Sequence, residues 1–144
     1  MTKARAAARL AAVQALYQFE MQATRLPRLL DEFHQHRLGA EIEDMQFAKA
    51  ETAFFDDVVS GVIARRDELD AVISGKLAEG WSLERLDRTM LQILRAGAYE
   101  LMARADVPTG SAISEYVDVA HAFFEAREAK FVNGVLDAVA KSVR

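Results

Sequence analysis

Apolar residues along this chain recur every three or four positions instead of alternating, and β-branched runs bounded by turn residues are nearly absent. That spacing is the period of the α-helix. It predicts a first helix from about Ala4 to Ala23, with Ala6, Leu10, Val13, Tyr17 and Met21 as an inward stripe and Arg5 and Arg9 together on its flank. Pro27 predicts a break, then a short helix through Leu30 and Phe33 that ends near Leu38-Gly39. The polar, acidic stretch from Glu41 to Gln46 reads as a loop. A helix over Ala48–Ala64 carries Phe54, Phe55, Val58, Val59 and Val62, and a separate one over Asp67–Leu77 turns Leu69, Val72, Ile73 and Leu77 inward. Gly80-Trp81 marks a turn. The clearest helix spans Leu86–Arg104, with Met90, Ile93, Leu94, Gly97 and Leu101 at helical spacing. After a loop over Asp106–Gly110, two more helices are expected over Ser111–Phe124 and Lys130–Val143. The pattern predicts an all-α protein: a compact bundle of about seven helices in a single domain over residues 1–144.

Composition supports that picture. The 144 residues are 51% hydrophobic and 28% charged, enough for one core without staples. Two prolines and seven glycines leave few breakers. Gly97 and Gly134 both fall inside helical patterns, where glycine costs about 1 kcal/mol relative to alanine, so close approach of a neighbouring helix is expected at each. The absence of cysteine rules out disulfides, thiolate metal sites and cysteine nucleophiles. No apolar run resembles a secretory signal or a membrane span, so a cytoplasmic protein is expected.

Charge adds something the sum conceals. The net charge is −4, yet residues 1–25 hold Lys3, Arg5, Arg9 and Arg25 against Glu20 alone. Residues 26–70 hold five basic and eleven acidic side chains. A polarised acidic chain can still present a local cationic patch, because salt screens each charge within about 8–10 Å. Arg5 and Arg9 stand four apart on one helix face, with Lys3 beside them, as phosphate contacts would require. Tyr17 and Tyr99 would stack bases if exposed, or pack with only their hydroxyls wet, and composition leaves both open.

Catalytic chemistry finds no foothold. His34 and His36 are two apart, roughly 200° around a helix, and share a metal poorly. Asp56-Asp57, Asp67-Glu68 and Asp70 lack a glycine-bearing calcium loop and read as a solvated face. There is no phosphate-binding glycine loop and no nucleophile elbow. No enzyme activity, metal or cofactor is expected.

Several longer stretches point further. Residues 8–20 read ARLAAVQALYQFE, residues 93–101 read ILRAGAYEL, Asp106-Val107-Pro108 and Ala112-Ile113-Ser114-Glu115 follow, and residues 130–137 read KFVNGVLD. In this order and spacing the chain resembles the NusB family of transcription antitermination factors over nearly its whole length. The resemblance implies two small helical subdomains packed together and a non-catalytic protein. It implies binding of boxA-type single-stranded RNA in ribosomal RNA transcripts together with ribosomal protein NusE. The assembly, with other Nus factors, then lets RNA polymerase read through terminators. Carried onto this chain, the implied RNA contacts are Lys3, Arg5, Arg9, Lys130, Arg127, Gln14 and Tyr17. The implied partner contacts are Met90, Leu91 and Arg95. Members of the family are similar in being monomers or homodimers, and both states are open here. Alanines at positions 6–8 thin the basic run usual in the family, which implies a salt dependence shallower by about 0.7 in slope for each phosphate left without a cation. Three alternatives remain: the same helical module as it occurs fused before ribosomal RNA methyltransferases, for which this sequence has no room and no glycine-rich cofactor loop; a bundle that binds only protein; and a cryptic hydrolase or metal enzyme.

Overall fold

The computed structural model describes residues 3–36 and 45–144, and side chains over 4–35 and 52–144. The chain runs through α1 (Lys3–Gln22), α2 (Leu26–His36), α3 (Met45–Ala64), α4 (Arg66–Ser74), a 3₁₀ turn (Leu83–Arg85), α5 (Arg88–Ala103), α6 (Thr109–Phe123) and α7 (Ala126–Val143). Among the described residues there is no strand. The all-α fold expected from periodicity is the fold observed. The expected end of the second helix near Leu38-Gly39 and most of the loop over Glu41–Gln46 lie outside the described residues.

Helix α5 is the axle. It packs against α1, α3, α4, α6 and α7. Every residue from Met90 to Leu101 is buried. A helix surrounded on all sides must be apolar or carry polar groups whose partners are also inside. Here Ile93, Leu94, Ala96, Ala98 and Leu101 supply the apolar surface, and Gln92, Arg95 and Glu100 are the buried polar exceptions. Its start is set by Asp87, whose carboxylate accepts hydrogen bonds from the Thr89 and Met90 backbone N–H groups at 2.8 and 3.1 Å. Gly97 is explained by packing, since a Cβ there would lie 2.8 Å from Leu136 Cδ1. Gly61, on α3, is tighter still, because a Cβ would overlap the Tyr99 ring. Gly134 has no such neighbour, and the close approach expected there does not occur.

Three boundaries differ from the expectation by more than two residues. Helix α7 begins at Ala126, one turn before Lys130, because Ala126, Arg127, Glu128 and Ala129 are sound helix formers and Glu128 suits the positive N-terminal end. Helix α4 ends at Ser74, short of Leu77, where Gly75 follows. Helix α3 begins at Met45, inside the expected loop.

The larger correction concerns α1. Of the inward stripe expected there, only Val13 is buried. Tyr17 and Met21 are 39% and 52% exposed, and Leu10 is only partly covered. The buried face is Ala8, Ala11, Ala12, Val13, Ala15 and Leu16, with Arg9 among them. Helix α1 meets α2, α3, α5 and α6, and small alanines let these neighbours approach closely. An alanine face has little hydrophobic contrast, so the larger apolar residues on the opposite face dominate the periodicity.

Candidate nucleic-acid interface

Arg9 reaches the interior because a carboxylate waits for it. Its Nε and Nη2 donate to the two oxygens of Glu100 on α5 at 2.8 and 2.9 Å, and Nη1 lies 3.5 Å from Glu115 on α6. Neither Arg9 nor Glu100 has any exposed side-chain surface. The Tyr116 hydroxyl also donates to Glu100, closing the set. Burial opposes the Arg9 charge, but the Glu100 hydrogen bonds and charge outweigh it and hold the guanidinium above its ordinary value. Burial, reinforced by Glu100, pushes the Tyr116 phenol well up. Arg9 is therefore a structural cation and not the surface phosphate contact expected of it.

Around Phe54 three guanidinium groups gather. Arg5 lies 4.4 Å from the ring centroid, Arg9 4.8 Å and Arg104 5.0 Å. Arg104 also forks to Asp57 and Asp106 at 2.9 Å each. Its hydrogen bonds push the Asp106 carboxyl down to about 2. Arg5 is half-buried, with its guanidinium over the Phe54 ring. Lys3 is the first residue of α1, and its side chain lies outside the described ones.

The remaining candidates fall in two places. Gln14 and Tyr17 share the outer face of α1, half-buried and exposed respectively. Arg127 and Lys130 lie in the first two turns of α7, and both are exposed. The Arg127 side chain is 93% exposed, with Nε 3.2 Å from Glu128. These two groups stand on separate helices that each pack on α5.

The three partner-facing candidates are all buried. Met90, Leu91 and Arg95 are 5%, 1% and 6% exposed. Arg95 grips both Asp70 oxygens at 2.8 Å and reaches Glu20 at 3.4 Å, while Gln92 donates to Glu20 at 2.7 Å. This network ties α5 to α4 and α1. Leu91 and Arg95 are held in the core and are not a free docking surface. Met90 alone opens outward, into a groove.

That groove is the feature that residue spacing missed. It holds about 590 Å³ between the turn before α5 and the junction of α6 and α7, lined by Trp81, Arg85, Met90, Phe124, Arg127 and Phe131. The turn residue Trp81 is 54% exposed, and Arg85 sits 5.6 Å from its ring. Gly80-Trp81 signalled only a turn, although a tryptophan in a turn is itself a signal of a surface aromatic.

Other chemistry stays quiet. Among the described residues no three His, Asp or Glu side chains are grouped to hold a metal ion. His34 pairs with Asp56 at 2.6 Å, joining α2 to α3. No helix among the described residues is long and apolar enough to cross a membrane.

A family model described as the NusB family matches residues 6–141. The transcription antitermination protein NusB of Novosphingobium aromaticivorans is 78% identical over 142 residues, covering 99% of this chain and 96% of that protein. Among solved structures, T. maritima NusB superposes with a TM-score of 0.78 at 31% identity, over 98% of this chain and 93% of that one. A chain from a crystal structure of the antitermination factors NusB and NusE in complex with double-stranded RNA gives a TM-score of 0.80 at 25% identity, with 99% of each chain covered.

Proposed function

Since this chain belongs to the NusB family, we propose that it is a non-catalytic transcription antitermination factor. In this reading it acts in the cytoplasm and binds boxA-type single-stranded RNA in ribosomal RNA transcripts together with ribosomal protein NusE. The assembly then promotes read-through by RNA polymerase. The observation that carries the reading is the full-length likeness to a chain crystallised with NusE and RNA. The exposed cations Arg127 and Lys130 beside an aromatic groove support it.

The mechanism is that of a scaffold. Lys3, Arg127 and Lys130, with Arg5 at the edge of its aromatic stack, neutralise phosphates, and Gln14 and Tyr17 meet bases or sugars. Phosphate contacts set register and affinity, and base contacts set preference. NusE adds a second contact, and joining two weak interactions raises the affinity of the ternary complex.

Fluorescence anisotropy of a labelled boxA-type RNA, titrated with and without NusE at two salt concentrations, tests this. Salt-sensitive binding that tightens with NusE and exceeds binding to a scrambled RNA is the expected result. No salt-sensitive RNA binding in either condition would overturn it. Burial of Arg9 favours one rival, since it thins the surface patch further: a bundle that binds NusE alone. NusE binding to which RNA adds nothing would establish that rival.

A further inference from the structure

We propose that the groove beside Trp81 is a seat for one unpaired RNA base, stacked on the indole with Arg85 as its cationic partner. This rests on the RNA-binding reading and adds the place where a base is held.

The aromatic platform is built, not loose. Gly80 has φ +89°, a left-handed conformation that side-chain-bearing residues rarely adopt, and it turns the chain so that Trp81 stands out. The Trp81 backbone N–H donates to the Ala78 carbonyl at 3.0 Å, holding the turn. Arg85 is fixed in turn, with Nη1 donating to the Gly80 carbonyl at 2.7 Å. An indole more than half in water, with a guanidinium held near its face, is the composition that single-stranded nucleic acid uses for stacking. Beneath it, Met90 is buried and Phe124 and Phe131 are half-buried, giving an apolar floor. The volume of about 590 Å³ lies in the range of small-ligand sites.

The charges select a base over a phosphate. Arg85 and Arg127 on the rim are matched by Asp87 and Glu128. The Asp87 carboxylate is occupied by the α5 backbone, and Glu128 faces Arg127. A balanced rim over an apolar floor suits a neutral, flat group with polar edges. The strand's phosphates then fall to Lys130, exposed one residue before Phe131. An aromatic side chain from a partner protein is the competing occupant, and it offers no phosphate to the exposed Lys130 beside the groove, as a nucleotide does.

The chain contains one tryptophan, so its intrinsic emission reports on this groove directly. Unlabelled boxA-type RNA is titrated against the full chain, and Trp81 emission is compared with anisotropy of the same RNA carrying a label. The expected result is an emission change that follows the binding curve. Trp81→Ala should weaken RNA about tenfold, and Trp81→Phe should recover part of the loss. The salt slope should stay unchanged, because every cation that meets a phosphate is still in place. Far-ultraviolet circular dichroism and melting of Trp81→Ala should match the parent, as the side chain is exposed. If RNA binds the parent and Trp81→Ala equally and leaves emission flat, the base seat is overturned while RNA binding stands. If NusE alone shifts the emission and Trp81→Ala weakens only that complex, the groove holds a protein segment and the proposal fails. If no RNA binds the parent, the RNA reading falls and the base seat falls with it.

Discussion

Arg9 and Glu100 are 91 residues apart in sequence and joined by two hydrogen bonds of 2.8 and 2.9 Å, with no exposed side-chain surface on either. Together with Glu115 and Tyr116 they tie α1 to α5 and α6 through a single buried charge pair. Such a pair contributes little net stability as a whole, but breaking it strands a charge in the core.

Arg9→Ala should therefore destabilise the protein by about 3–5 kcal/mol, the usual cost of leaving one partner of a buried pair uncompensated. Urea unfolding followed by circular dichroism checks this. A double change of Arg9→Met with Glu100→Leu should recover much of the loss, since neither charge then remains inside. If Arg9→Ala unfolds like the parent, the guanidinium does not hold the core.

Gly61→Ala and Gly134→Ala should have opposite signs. At Gly61 the new methyl overlaps the Tyr99 ring, which already donates a 2.7 Å hydrogen bond to Asp57. Overpacking of this kind costs about 1–3 kcal/mol. At Gly134 nothing lies within 4 Å of the added methyl, and helix propensity should stabilise by about 0.5–1 kcal/mol. Thermal melts of the two variants separate these outcomes.

Alkaline pH should unfold the protein through its buried phenols. Burial, with Asp57 close by, raises Tyr99 to about 12 from an ordinary value of 10.0. The unfolded chain therefore loses that proton first, and stability declines as pH rises from about 10 toward 12. Tyr116, raised in the same direction, adds to the loss. Tyr99→Phe should shallow the decline, measured as the urea midpoint against pH, and a slope equal to the parent's would show that Tyr99 does not contribute.

Replacing Arg127 and Lys130 together with alanine should weaken boxA-type RNA binding and reduce its salt slope by about 0.7 for each phosphate no longer neutralised. Both side chains are exposed, so the melting temperature should stay within the small range of surface changes. An unaltered slope would remove both residues from the RNA surface.

Much of this molecule was legible locally. The helical period of Phe54, Phe55, Val58, Val59 and Val62, and of Ile93, Leu94 and Leu101, placed α3 and α5 and their buried residues correctly. Motifs such as AVQALYQ and KFVNGVLD carried the family, because a run of side chains is itself the signal. Other features depended on where distant elements meet. An arginine at position 9 reads as a surface cation until Glu100 is brought to 2.8 Å, and no local pattern announces that pairing. Arg95 is concealed in the same way by Asp70 and Glu20. The outward face of α1, with Tyr17 and Met21, follows from the helices crowding its alanines, and not from hydrophobicity along the helix. Residue order was enough to set which segments are helical, what family they form and which side chains could carry charge. Which of those charges reach solvent, and that Trp81 shares a groove with Phe124 and Phe131, came only with the packed fold, because burial and pairing are properties of neighbours that residue order does not specify.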